Sequence, residues 1–406
     1  MYLLSHMLKG FVQTGTLNVF DVDGKHHVFS GRQGPEVTFR LHDKALYTKL
    51  FFNPEMGAGE GYMNGTLTFE DCSLEDFLGF FSINRLALGS YPLQAFLRKI
   101  SRNFRSLQQY NPVGKAQENV AHHYDLSNDF YKLFLDEDMQ YSCAYFKHEK
   151  ETLEQAQLNK KRHLASKLLI EPGQRILDIG SGWGGLALYI ATLADVEVVG
   201  VTLSKEQYDL SVQRAKTLGL NDRVQFKLQD YRQVEGTFDR IVSVGMFEHV
   251  GVQHYGEFFR KIYDLLTDSG VGLIHSIGHM SPPGTASPWL RKYIFPGAYS
   301  PAMSEVFTAL ELNSLWATDI EILRVHYANT LREWHNRFES NRDKIASMYD
   351  ERFCRMWEFY LVSVGMMFRT GSQMVFQLQV TKQRDASPLT RDYIGRQESV
   401  YIEAGK

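Results

Sequence analysis

The chain has 406 residues, 44% hydrophobic and 13% aromatic, more than one typical domain and ample for a buried core. Its 44 basic against 47 acidic residues leave a net charge of −3, which excludes a global pull toward nucleic acid, so any anionic partner must be met by a local patch. Three scattered cysteines, Cys72, Cys143 and Cys354, exclude a disulfide framework and a zinc site. The N-terminus has no basic start followed by a long apolar run, and no stretch of about 18 apolar residues occurs, so a soluble cytoplasmic protein is expected.

The first 90 residues mix short alternating segments, Leu17 to Phe20 and Glu36 to Leu41, split by Asp23-Gly24 and Gly34-Pro35; these read as hairpin strands. A helix follows around Leu74 to Phe81, making the N-terminal part a small α+β domain. From Leu97 to Leu107, Leu97, Ile100, Phe104 and Leu107 recur at helical spacing while Arg98, Lys99, Arg102 and Arg105 fill the other turns. That composition suits an interfacial helix, and equally a solvated helix packed on a core. Tyr110 to Gly114 breaks the pattern and predicts a boundary there, giving domains 1–110 and 111–406. The adjacent pair His122-His123 has no carboxylate–histidine spacing, and no metal site is expected.

Arg175 to Ile179 reads as a strand, Gly180-Ser181-Gly182-Trp183-Gly184-Gly185 as a glycine turn and Leu186 to Leu193 as a helix. Missing side chains let backbone N–H groups approach a ligand, and the helix start favours a negative group there. Further strands are predicted over Val196 to Val201, Val224 to Leu228, Arg240 to Val244 and Val271 to Ile277, with amphipathic segments between them. That alternation predicts an α/β fold, a Rossmann-like parallel sheet with helices on both faces beside the smaller N-terminal α+β domain.

The glycine turn fits both the dinucleotide pattern G-x-G-x-x-G and the S-adenosylmethionine pattern D-x-G-x-G-x-G beginning at Asp178. A nicotinamide enzyme should carry an acidic residue at the end of the second strand, about 20 positions on. Here that strand runs into Thr202-Leu203-Ser204, which favours the methyl donor, with Asp178 placed to meet its cationic amino group. Ligands of open parallel sheets sit beyond the carboxyl ends of the strands. Those ends supply Asp178 and the glycines, Thr202 with Gln207, Gln229-Asp230-Tyr231, and Phe247-Glu248-His249. Tyr231 suits stacking on adenine and Asp230 suits its amino group, although both also read as plain loop residues.

Several segments together carry a resemblance. They are Ala121 to Phe130, Gln140-Tyr141-Ser142-Cys143-Ala144-Tyr145-Phe146, Leu177 to Gly184, Thr202-Leu203-Ser204, Met246-Phe247-Glu248-His249-Val250-Gly251 and Tyr293-Ile294-Phe295-Pro296-Gly297. In motif order from residue 118 to about 340, the chain resembles the cyclopropane fatty acid synthases, and its extra N-terminal domain is what the phospholipid-modifying members show. The resemblance implies an S-adenosylmethionine-dependent methyltransferase sheet. In this family the double bond of a lipid acyl chain attacks the sulfonium methyl, and a base, bound bicarbonate, removes a proton as the ring closes. The implied bicarbonate contacts are Cys143, Glu248, His275, the backbone of Ile277 and Tyr327. The implied cofactor residues are Tyr141, Ser142, Asp178, Gly180, Gly182, Gly184, Thr202, Leu203, Gln207, Gln229, Asp230 and Tyr231.

Each residue also has a plainer reading. Cys143 suits a small buried apolar position, a lone core histidine such as His275 is usually structural, and Tyr327 by itself carries almost no signal. Glu248, directly after an apolar strand, would be costly to bury without a role. An acyl channel would draw on Met356, Trp357, Tyr360, Leu361, Val364, Met367 and Phe368 with Trp289, Phe295 and Phe307, a set that a core helix explains equally well. The expected partners are an unsaturated phospholipid at the inner face of a membrane, touched peripherally through residues 1–110, and no nucleic acid; a homodimer stays open. The rival functions are a fatty-acid branch methyltransferase, a small-molecule N-methyltransferase of the same superfamily, and a lipid-surface protein without catalysis.

Overall fold

The structure, a computed structural model, describes residues 1–89 and 126–406. The basic segment Leu97 to Leu107, the break at Tyr110 to Gly114, His122-His123 and the first part of the Ala121 to Phe130 motif lie outside the described residues. Two compact units are present. One joins the N-terminal stretch to Thr285–Phe295 and Leu331–Gly371, and the other holds Pro296–Thr330, Ser372–Lys406 and the segment before Gly284. The division is therefore discontinuous in the chain, where the sequence suggests a single cut.

In the first unit, strands β1 (Thr14–Phe20), β2 (His26–Ser30), β3 (Arg32–Leu41) and β4 (Leu67–Glu70) form a sheet in the order β2-β1-β3-β4. β1 pairs antiparallel with β2 and parallel with β3. Helices α1 (Tyr2–Phe11), α2 (Ala45–Phe52), α3 (Pro54–Met63) and α4 (Leu74–Gly89) supply the apolar cover, with Phe11, Phe77 and Phe80 buried. The helix Glu351–Thr370 belongs to this core: Trp357, Tyr360, Leu361 and Phe368 are buried, and Phe359 meets Trp289 edge-on at 4.7 Å. Of the channel candidates, Phe307 alone lies in the other unit, packed against its apolar core.

The second unit is built on a seven-stranded sheet in the order β10-β11-β9-β8-β5-β6-β7. Its strands are β5 (Arg175–Ile179), β6 (Glu197–Thr202), β7 (Val224–Leu228), β8 (Phe238–Val244), β9 (Leu266–His279), β10 (Trp316–Ile322) and β11 (Gln373–Thr381). β5 to β9 run parallel, and β10 and β11 close the edge antiparallel. The five parallel strands are those expected from sequence; the antiparallel pair was not expected. Both faces are covered, because successive β5 side chains point to opposite sides. Ile176 packs with Leu164 and Leu168 of α5 (Leu153–Leu168) and Ile190 of α6 (Gly185–Leu193). Leu177 and Ile179 pack with Phe258, Phe259 and Ile262 of α8 (Tyr255–Leu265). Truncating any one of these buried phenylalanines to alanine should cost roughly 3–5 kcal/mol. The order reverses at β5, which is flanked by β6 and β8, so the ligand crevice of such a sheet opens beyond Ile179. No helix among the described residues is long and apolar enough to cross a membrane.

Candidate active site

At the end of β5 the chain turns through Gly180, Gly182 and Gly184, all at positive φ (81°, 54° and 81°). Gly180 and Ser181 each donate their N–H to the Val201 carbonyl, at 2.9 and 3.0 Å, which ties the turn to β6. The three glycines do different work. A Cβ at Gly184 would lie 2.6 Å from the Phe226 ring and 2.9 Å from Ser211 Cβ, so this glycine lets α6 pack on its neighbours. A Cβ at Gly182 would meet no protein atom within 4 Å.

Gly180 and Gly182 line a cavity together with Tyr141, Ser142, Asp178, Thr202, Leu203, Gln207, Gln229, Asp230 and Tyr231. Thus eleven of the twelve cofactor positions expected from sequence share one wall, and Gly184 stands outside it. The wall also includes His249 from the fourth strand end, Trp183 and Met246 from the motifs around it, and Arg232, for which the sequence offers no signal. Trp183 is held by its indole N–H donating to Asn128 Oδ1 at 2.7 Å and by edge contact with Tyr131. Thr202 donates to Gln207 Oε1 at 3.0 Å, and Ser204 caps α7 (Lys205–Thr217). Asp230 is already gripped by Arg232, whose Nε and Nη2 donate to its two oxygens at 2.9 and 2.7 Å. Tyr231 packs edge-on against Phe258 at 5.6 Å.

Asp178 is 2% exposed, and its Oδ2 has no hydrogen-bond partner among the described residues. Burial pushes its pKa up to about 7, with the nearby Lys160 charge opposing. A buried carboxylate without a partner fits a site that completes itself with a cationic ligand group.

Beside the cavity stands the second set. Glu248, on the short turn Phe247–His249 after β8, accepts the Ile277 N–H on Oε1 at 2.6 Å, while Oε2 is buried without a partner among the described residues. Burial raises its pKa to about 7, partly offset by the Ile277 bond. His275, two residues before Ile277 on β9, receives the Gln377 amide on Nδ1 at 3.2 Å, which leaves the ring proton on Nε2, buried and unpartnered among the described residues. Burial holds His275 well below the usual histidine range, and so neutral. Cys143 follows Ser142 of the cavity wall; it is buried, and burial pushes its thiol far up. Its neighbour Ala144 donates its N–H to Thr330 Oγ1 at 3.0 Å, one helical turn after the buried Tyr327. None of these five lines the cavity itself, whose wall runs through their chain neighbours Ser142 and His249. Two buried polar atoms, Glu248 Oε2 and His275 Nε2, are thus left unsatisfied among the described residues.

Elsewhere, in the first unit, His335, Glu339 and Glu358 offer ligand atoms within 4.8 Å of one another. Arg342 already neutralises both carboxylates, at 2.7 and 2.8 Å.

A family model described as mycolic acid cyclopropane synthetase matches residues 113–378. The chain belongs to this family. It is an enzyme, a methyltransferase dependent on S-adenosylmethionine and of the cyclopropane-synthase type. It is 36% identical over 341 residues, 84% of this chain and 86% of the relative, to the cyclopropane-fatty-acyl-phospholipid synthase of Escherichia coli (strain K12). It is 39% identical over 272 residues, 65% of this chain and 69% of the relative, to a probable fatty acid methyltransferase of Pseudomonas putida. Among solved structures it resembles mycolic acid cyclopropane synthase CmaA1 complexed with SAH and CTAB, with a TM-score of 0.62 and 34% identity, over 67% of this chain and 99% of that one. Coclaurine N-methyltransferase, at 22% identity, shares the fold.

Proposed function

We propose that the enzyme transfers a methylene from S-adenosylmethionine to the cis double bond of unsaturated acyl chains in membrane phospholipids, closing a cyclopropane ring, with bicarbonate held as the base. The observation that carries this reading is the pair of orphaned buried atoms, Glu248 Oε2 and His275 Nε2, beside a cavity built for a cationic cofactor. When bound, S-adenosylmethionine supplies an electrophilic methyl and bicarbonate a weak base. The chain's own residues set the stage. Asp178 would receive the cofactor's ammonium group, and the turn at Gly180 and Gly182 would bring backbone close to it. Glu248, protonated near neutral pH, can donate to an anion, as can the His275 Nε2–H and the hydroxyl of Tyr327. Val250, an apolar residue of the cavity wall, would help keep water from a developing carbocation, which would otherwise end as an alcohol.

The phospholipid substrate is supported by the Escherichia coli relative, which spans both units of this chain, and we assign the lipid contact to residues 1–110, at the inner face of the membrane. The Pseudomonas putida relative favours a second reading, branch methylation of a fatty acyl chain. Mass spectrometry of lipids incubated with enzyme and S-adenosylmethionine separates the two: cyclopropanation adds CH2 and removes the alkene, whereas branching adds CH2 and keeps an alkene or a methylene group. Turnover in carbonate-depleted buffer should rise when bicarbonate is restored, and a flat rate would remove bicarbonate from the proposal.

A further inference from the structure

α5 carries two polar side chains three residues apart, Gln157 and Lys160, each 1% exposed. Both reach the same stretch of cavity wall. Gln157 Nε2 donates to the carbonyl oxygens of Gln140 and Ser142 at 3.1 and 3.0 Å. Lys160 Nζ donates to the side-chain oxygens of the same two residues, Gln140 Oε1 at 2.5 Å and Ser142 Oγ at 2.8 Å. Residues three apart share a helix face, so one face of α5 grips the backbone and the side chains of Gln140 and Ser142 together.

Hydrogen bonding to two neutral side chains does not require a charge. A buried ammonium is costly, and a neutral amide could serve the same acceptors. What the charge adds acts on its ionisable neighbours, which are Asp136, Asp138, Lys161, Cys143, Asp178 and His275. Asp136 is satisfied by the N–H groups of Gln140 and Asp138, and Asp138 is paired with Lys161 and Arg214. His275 and Cys143 are kept neutral by burial. Asp178 is the carboxylate left with a free buried oxygen.

We propose that Lys160 is a positioning residue for cofactor capture, fixing the Gln140–Ser142 wall and setting its positive charge beside the cavity wall that Ser142 shares with Asp178, whose carboxyl would receive the ammonium group of the cofactor. The proposal rests on the cofactor reading above. Its test is the binding of S-adenosylhomocysteine, by calorimetry from pH 5.5 to 8, to wild type, Lys160→Gln, Lys160→Arg and Asp178→Asn. Lys160→Gln keeps donors for the wall but loses the charge. Its affinity should approach wild type at pH 8 and fall on the order of tenfold below it near pH 6.5, the midpoint moving up by about one pH unit. Lys160→Arg should keep the wild-type midpoint, and Asp178→Asn should flatten the pH dependence. A wild-type profile in Lys160→Gln, or a loss equal at every pH, overturns the electrostatic role. Persistence of the pH dependence in Asp178→Asn overturns it independently, even if the lysine variants do not fold. Failure of wild type to bind at all would instead refute the cofactor reading.

Discussion

Glu248 holds its carboxyl where ionisation is costly, and its pKa is pushed up from 4.5 to about 7 by burial. A carboxyl raised in the folded state contributes stability that is fully present below the unfolded pKa and is lost as pH rises through the folded one. For Glu248 the window runs from about pH 4.5 to 7, and the linkage amounts to roughly 3 kcal/mol. Glu248→Gln keeps the acceptor for the Ile277 N–H and removes the ionisation. The variant should match wild type in chemical denaturation at pH 4 and exceed it by up to about 3 kcal/mol at pH 8. Its turnover should fall by roughly 10²- to 10⁴-fold, the usual worth of general acid–base assistance, with little change in cofactor affinity. A variant that is no more stable at pH 8 would mean Glu248 is not held neutral in the resting protein. Its candidacy was legible from one fact, a glutamate directly after an apolar strand, and the structure finds that side chain buried. His275 was not legible, because a histidine inside Leu273 to Ile277 reads as core until Gln377 is seen occupying its Nδ1.

The glycine turn and the strand that ends at it were readable because their signals are local. β5 and β7 fall on the expected residues, and the turn's spacing carries its own mechanism. What sequence could not separate is which glycine faces ligand and which faces protein. The structure makes that distinction testable. Gly184→Ala would press a methyl into Phe226 and Ser211 at positive φ, so it should cost roughly 2–5 kcal/mol of stability from overpacking and strain together. Gly182→Ala meets no neighbour, should cost only about 1–2 kcal/mol for its backbone conformation, and places its methyl toward the cavity, so cofactor affinity should fall first. Urea denaturation and calorimetry on the pair check the split; equal stability losses would refute it. β11 escaped notice for the opposite reason. Its sequence alternates Gln373, Gln377 and Gln379 with apolar residues, which suggests a half-wet strand, yet Gln377 and Gln379 are fully buried. Their partners, the His275 ring, the Lys167 carbonyl and the Tyr393 hydroxyl, come from distant segments and cannot be read locally.

Across the whole molecule, the order of motifs along the chain points to the candidate site, while a network of contacts leading toward it starts at the C-terminal end. Glu398, on α9 (Asp392–Glu403), accepts from Lys147 at 2.7 Å and faces His163 Nδ1 at 2.5 Å; His163 Nε2 faces Glu321 at 2.7 Å. His163 in turn stacks on Tyr145 at 4.3 Å, Tyr145 stacks on His326 at 4.9 Å, and His326 Nδ1 accepts the Phe146 N–H. This chain of contacts ends three residues from Cys143. Burial alone would raise the Glu398 carboxyl, but the bonds from His163 and Lys147 outweigh it and hold the pKa below its ordinary value. A depressed carboxyl contributes stability above its unfolded pKa and loses it as pH falls, the opposite sign to Glu248. Glu398→Ala should therefore lower stability by about 1–3 kcal/mol at pH 7, a partly buried pair costing less than a fully buried one, and the deficit should close below about pH 4. Because His163 loses one of the two carboxylates that orient its ring against Tyr145, turnover at pH 7 should drop severalfold while the protein is still folded, with S-adenosylhomocysteine affinity nearly unchanged. A stability deficit that persists at pH 3 would show that α9 acts by apolar packing through Tyr401 alone, and unchanged turnover would disconnect this end of the chain from the site.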